Sequence, residues 1–246
     1  MELVVLTFFV SIFSSFLSGL SGGGGALILT PYYIFIGLSP QQAVATGKFA
    51  GLGVMSGSLT AFSGKGLVKK QLLLPLMSIT VVSSLLAAWL IPKLDSGIFQ
   101  TVIGVIIIAI IPVLFLKKES LQPGPRSGKW ISFGFILYAL NSFAQGMFGT
   151  GLGMLLTINL MLLFGLSALA ANATKRMAQS IQTSLLFVLL LWQGLIVVSY
   201  GLATLFGSAI GSYFGSHTAI KKGNKFVKVA LAITMVISGL ILILTA

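Results

Sequence analysis

Long apolar runs alternate with short polar interruptions along the whole chain. The runs cover 3–20, 25–38, 40–63, 72–91 and 98–116, then 130–148, 153–166, 168–192, 195–217 and 226–245. Most are close to the ~20 residues a membrane-spanning helix needs. They are apolar on every face, whereas strands of a membrane barrel would alternate apolar and polar residues. The pattern therefore predicts an all-α, polytopic membrane protein. Two segments, 25–38 and 153–166, are short. Each follows a glycine cluster that interrupts a helix: Ser21-Gly22-Gly23-Gly24-Gly25 and Gly149-Thr150-Gly151-Leu152-Gly153. Ser39-Pro40 reads as a helix start, with serine at the N-cap and proline in the first turn, and Ser167 takes the equivalent place.

The ten segments form two sets of five, and the sets are related by sequence. At an ungapped offset of 128 residues, thirteen of the 45 positions between Gly23 and Leu67 are identical to their partners. They include Gly23/Gly151, Gly25/Gly153, Ala43/Ala171, Thr46/Thr174 and Ser56/Ser184. Gly37-Leu38-Ser39 recurs as Gly165-Leu166-Ser167, and Lys48 pairs with Arg176. A shared bias toward leucine and glycine accounts for the apolar matches but not for the threonine and Lys/Arg matches. Residues 1–118 form a first membrane repeat and 130–246 a second. The polar stretch 119–129, with Pro123-Gly124-Pro125, forms a cytoplasmic linker.

Loop charge indicates how the repeats are oriented, because basic residues gather on the cytoplasmic side. If all five segments of a repeat cross, or if the short second segment returns with the first as a hairpin, the basic residues segregate. Lys65, Lys69, Lys70, Lys117, Lys118, Arg126, Lys129, Lys221, Lys222, Lys225 and Lys228 then share one side, and only Lys93 lies opposite. A second segment that dips in and out alone leaves the charges nearly even. The segregated arrangement requires inverted repeats with both termini outside, in a multi-pass protein of the cytoplasmic membrane. Inverted repeats are a hallmark of secondary transporters.

Composition narrows the chemistry. Only 7% of residues are charged and 57% are hydrophobic, far from the about 25% charged of a soluble domain. The net charge of +12 comes from clusters between apolar runs, so it reports orientation rather than a nucleic-acid partner. The chain has no cysteine and one histidine, His217. Its three acids, Glu2, Asp95 and Glu119, all lie at segment ends. Thiol chemistry, metal hydrolysis and paired-carboxylate catalysis lack raw material, and no cofactor, metal or enzymatic activity is expected. The run 3–20 has no basic residue before it and is read as a retained helix rather than a leader.

The candidate binding residues follow from depth. Lys48 and Arg176 lie eight or nine residues inside their helices, about 12–14 Å deep at 1.5 Å per residue. A charge at that depth is costly and ordinarily faces a cavity on a substrate pathway. With Lys175 alongside and no intramembrane acid, the cations point to an anion. The glycine breaks Gly22, Gly23, Gly24 and Gly25, matched by Gly149, Gly151 and Gly153, would place helix N-termini within the membrane, where free N–H groups favour anions. Thr46, Thr174, Asn172, Asn141 and Gln145 complete the pocket, with Gln179 and Gln182 as weaker candidates. Gly51, Gly53 and Gly57 are read as packing glycines, and Trp89, Trp130 and Trp192 as interface anchors.

Gly23-Gly24-Gly25, Pro31, Gly37-Leu38-Ser39-Pro40 and Ala43-x-Ala45-Thr46, repeated in weaker form in the second half, resemble the sulfite exporter TauE/SafE family. The resemblance covers essentially the whole chain. It implies transport of sulfite, organosulfonates or related anions across the cytoplasmic membrane. One departure stands out: where the family commonly has serine after the threonine, this chain has Gly47-Lys48 and Lys175-Arg176. The expected function is transport of a small, sulfur-containing oxyanion by alternating access. An anion channel and a non-transporting membrane scaffold are the alternatives. The expected partners are that anion and the lipid bilayer. A homo-oligomer is compatible with the sequence.

Overall fold

In the computed structural model, the distribution of side chains is that of a protein whose solvent is lipid. Phe9, Phe13, Leu74, Phe133, Leu140, Phe206 and Phe214 are exposed, while Thr7, Ser11, Ser14, Ser15 and Ser18 of the first helix are buried. In water this pattern would leave apolar surface uncovered. In a bilayer it costs nothing, and the hydroxyls find partners between helices. The structure describes residues 2–23, 25–95, 128–149 and 152–245. The expected segment 98–116 and linker residues 119–127 lie outside the described residues.

Eight α-helices are present among the described residues: α1 Glu2–Ser21, α2 Ala26–Phe35, α3 Pro40–Phe62, α4 Lys70–Leu90, α5 Gly128–Phe148, α6 Gly153–Leu162, α7 Ala168–Trp192 and α8 Val198–Thr245. A 3₁₀ turn, Ile91–Lys93, extends α4, and Gly223 breaks α8 at a positive φ of 80°. Three segments, Glu2–Ser21, Lys70–Lys93 and Gly128–Phe148, are long and apolar enough to cross a membrane. Helices α3 and α7 reach 23 and 25 residues but carry cations in their interiors. The protein is a polytopic helical membrane protein.

The second helices are short, as the glycine breaks predict. Helices α2 and α6 have 10 residues each, about 15 Å and half the hydrocarbon thickness. Each folds back along the helix before it. The Tyr32 hydroxyl lies 2.8 Å from Thr7 Oγ1, near the start of α1, and Gly25 sits against the Ser14 carbonyl, farther along. In the second half, Asn159 Nδ2 donates to the Gly134 carbonyl at 3.2 Å. Of the arrangements compatible with segregated charge, the packing is the hairpin kind.

The turns into α3 and α7 match one another. Gly37 and Gly165 take positive φ values of 98° and 68°, where a Cβ would be strained. Ser39 then caps α3 in a capping box with Gln42, and Ser167 accepts from the Ala170 N–H at 3.3 Å.

The halves are interleaved rather than adjacent. Helices α1 and α3 of the first half pack on α8 of the second, and α5 and α7 of the second pack on α4 of the first. The α1–α8 seam is built from small residues: Ser15 donates to Ser208 at 2.8 Å and Ser11 to Thr204 at 3.3 Å. A Cβ on Gly53 would lie 2.9 Å from Ser208 and one on Gly57 2.9 Å from the Tyr213 nitrogen, so both glycines serve close packing on α8. Trp89, Trp130 and Trp192 are exposed near helix ends.

Interactions that cross between the halves recur at the 128-residue offset. Thr46 Oγ1 accepts the Val197 N–H at 3.1 Å, and Thr174 Oγ1 accepts the Lys69 N–H at 3.0 Å. Each threonine of a third helix thus anchors the start of the opposite half's fourth helix. Thr46→Val and Thr174→Val each remove one acceptor and should cost about 1 kcal/mol. Thermal unfolding in detergent should show similar drops in midpoint for both. A large drop in one and none in the other would contradict the equivalence.

Candidate functional site

A buried cation in lipid needs oxygen atoms, and the ends of broken helices supply them. The last four carbonyls of a helix have no partner within it, although that of Ser18 also accepts the Gly22 N–H at 2.9 Å. Lys48 Nζ donates to the Gly146 carbonyl, near the end of α5, at 2.9 Å. Arg176 Nη2 donates to the Ser18 carbonyl, near the end of α1, at 2.6 Å, and to Ser18 Oγ at 3.0 Å. The two contacts are equivalent: Lys48 and Arg176 are 128 residues apart, as are Ser18 and Gly146. In each, the cation of one third helix meets the C-terminal end of the other half's first helix, where the helix dipole is negative.

The glycine breaks meet one another. A Cβ on Gly23 would lie 2.7 Å from the Gly153 carbonyl carbon, so the two chain breaks touch backbone to backbone. Gly22, at φ 80°, lies against Asn172 and Thr157. Thr157 Oγ1 bridges them, donating toward the Gly22 carbonyl at 3.4 Å and the Gly153 carbonyl at 3.3 Å. Gly25 directly precedes α2 and Gly153 opens α6. Gly149 ends α5 at a φ of 99°. Gly24 and Gly151 lie outside the described residues.

Around this contact the expected polar residues divide into two groups. Lys175 Nζ donates to the Gly153 carbonyl at 3.1 Å. Asn172 accepts from Arg176 Nε at 3.3 Å and donates toward the Gly19 carbonyl at 3.4 Å. Gln145 accepts a hydrogen bond from Gln179, and Gln182 donates to the carbonyl and hydroxyl of Ser142. Lys48, Lys175, Arg176, Asn172, Gln145 and the described glycines therefore share one region. Thr46 and Thr174 are occupied by the helix starts described above, and Asn141 is half-buried one turn before Gln145.

The three cations are 2%, 1% and 2% exposed, so solvent reaches none of them. No acid neutralises them: among the described residues Glu2 and Asp95 lie at segment ends, and no cluster of metal-binding side chains is present. The arrangement offers an anion a set of N–H donors fixed to carbonyl anchors. A groove of about 430 Å³ on α7, lined by Ser180, Ile181, Ser184, Leu185 and Val188, has no charged lining and offers an anion nothing comparable.

The family model for sulfite exporter TauE/SafE matches residues 7–242. The chain belongs to the TauE/SafE family. Curated relatives agree. A "Probable membrane transporter protein" of Haemophilus influenzae is 25% identical over 92% of this chain and 89% of its own length. "Probable membrane transporter protein ORF9" of a Sinorhizobium species is 25% identical over 96% and 90%, and "Probable membrane transporter protein YfcA" of Escherichia coli K12 is 25% identical over 94% and 86%. No solved structure matches the chain. Family and relatives together make this TauE/SafE chain a multi-pass membrane transporter.

Two residues of the candidate site, Thr157 and Ser18, were not singled out by the sequence of this TauE/SafE chain. Thr157 left a signal, as a lone hydroxyl four residues after Gly153 on a short apolar helix. Ser18 left only its position four residues before the glycine break, since its partner at 146 is glycine and the repeat does not mark it.

Proposed function

We propose that the protein carries a small sulfur oxyanion, such as sulfite or an organosulfonate, across the cytoplasmic membrane by alternating access. The observation behind this reading is the set of three buried cations, with no acid beside them among the described residues, where two helical hairpins touch. The name of the matched family supplies the cargo class. Small oxyanions accept several hydrogen bonds at once, and lysine and arginine supply charge-assisted donors. In a negative cytoplasm, export of one charge is downhill by about 2.3 kcal/mol per 100 mV, so outward movement needs no acidic residue for proton coupling.

Alternating access needs a device that opens one side as the other closes. Two repeats in opposite orientation provide it, because exchanging their conformations turns an inward-facing state into an outward-facing one. The segregation of loop lysines supports that orientation, and the paired contacts at the 128-residue offset support two equivalent halves. The closure of the cations on all sides fits an occluded carrier better than an open channel.

Flux into proteoliposomes tests the cargo and the site. Sulfite uptake should saturate and show counterflow, and Lys48→Ala and Arg176→Ala should each lower it by at least about tenfold, the loss expected for one charge-assisted bond. Wild-type flux in both folded variants would remove these residues from the site. The orientation has its own test, since the chain has no native cysteine. Cysteines placed singly at Lys65 and Gln193, 128 residues apart and both exposed, should react with an impermeant maleimide from opposite sides. Labelling from the same side would contradict inversion.

A further inference from the structure

Two basic runs, one from each half, emerge at the same end of the bundle. Helices α3 and α8 lie side by side and run in the same direction: Gly53 packs against Ser208, Gly57 against Tyr213, and Ser216 Oγ donates to Ser58 Oγ at 2.9 Å. The turn after α3 carries Lys65 and Lys69, and Lys70 opens α4. The break in α8 at Gly223 carries Lys221, Lys222 and Lys225. Both runs also dock on the start of α7. Asn224 Oδ1 accepts the Leu169 N–H at 2.9 Å, and the Lys69 N–H donates to Thr174 Oγ1 at 3.0 Å. Those anchor points are about 7.5 Å apart along the helix. All six lysines are exposed.

No acid among the described residues lies at this end. Asp95 follows α4 at the end opposite Lys70. Glu2 opens α1, which runs alongside α8 in the same direction, with Ser11 at Thr204 and Ser15 at Ser208, so Glu2 is also at the far end. Like charges gathered this closely repel one another, and basic clusters of this size at the ends of membrane helices recognise anionic lipid. The flank of α8 favours a lipid over a free anion or an acidic protein. Phe206, Ile210 and Phe214 are exposed one turn apart on a single face, and that face continues through His217 to Lys221. His217 stacks on Tyr213, with ring centroids 6.1 Å apart. An acyl chain against this stripe brings its phosphate to the lysines, whereas a free anion or a soluble protein uses the lysines alone.

We propose that Lys65, Lys69 and Lys70 of the first half and Lys221, Lys222 and Lys225 of the second form a headgroup site for an anionic phospholipid, with an acyl chain along the Phe206–Phe214 face of α8. The lipid phosphate offsets the repulsion between the two basic runs and so ties the halves together at this end. The site is separate from the buried cations and does not depend on what the protein carries.

Thermal unfolding of the purified protein in an uncharged detergent at low ionic strength tests this. Phosphatidylglycerol should raise the midpoint by at least about 3 °C, the shift expected of a ligand that binds only the folded state, and phosphatidylcholine should not. A Lys65→Gln/Lys221→Gln/Lys222→Gln triple variant should lose most of the shift, while Lys93→Gln, an exposed lysine at the opposite end of α4, should keep it. Without lipid the triple variant should unfold no earlier than the wild type, because it removes repulsion. Equal shifts with the two lipids, or a full shift in the triple variant, overturn the proposal. So does earlier unfolding of the lipid-free triple variant, which would mean that the fold itself needs these lysines. Inorganic phosphate giving the same shift as the lipid, and losing it in the triple variant, would make this a site for a free anion instead.

Discussion

A buried cation needs oxygen atoms within reach, and the rest of this structure depends on how the ends of two helices supply them. Helices α1 and α5 both stop at glycine breaks, and in each case a cation from the opposite half reaches the exposed end: Arg176 at Ser18 and Lys48 at Gly146. A buried cation would be costly alone, and the helix-end carbonyls offset that cost, that of Ser18 while also accepting the Gly22 N–H at 2.9 Å. The exchange ties the halves together at their tips and also concentrates positive charge there. Fold and candidate site therefore share one set of contacts.

The packing around those tips is suited to movement. Most of the α1–α8 seam is serine, threonine and glycine, which bring backbones close without interlocking bulky side chains. Because α1 and α3 pack on α8 while α5 and α7 pack on α4, neither half is a separate body with a private core. A shift of one hairpin tip displaces the contact that the other half makes with it, through Gly23 and Gly153. Coupling of this kind is what a carrier with two related halves requires.

Much of this was legible in the sequence, because it follows from period and composition. Unbroken apolar runs gave helices, glycine clusters gave the short second helices, and Ser39-Pro40 gave the start of α3. The 128-residue offset brought Lys48 together with Arg176 and Thr46 with Thr174 before any contact was known. Roles were less legible than positions. Thr46 and Thr174 look like pocket residues because they are polar and repeated, yet their hydroxyls hold the starts of α8 and α4. An anion was expected between the helix N-termini at the glycine breaks and the Lys48/Arg176 pair; the hydrogen bonds of Lys48 and Arg176 themselves reach helix C-terminal ends. That choice depends on how hairpins from the two halves cross, a long-range matter that local pattern does not encode. Ser18 was hidden for the same reason: its partner lies 158 residues away.

The central claim is that the positive charge gathered at the hairpin tips exists to hold an oxyanion. Selenate, a heavier relative of sulfate, makes this directly observable, since the anomalous signal of selenium locates the bound ion in a crystal. The expected result is a single strong peak at the hairpin tips, close to Lys48, Lys175 and Arg176. A peak only among the surface lysines, or none at the tips at saturating selenate, would show that the buried cations serve the helix ends alone.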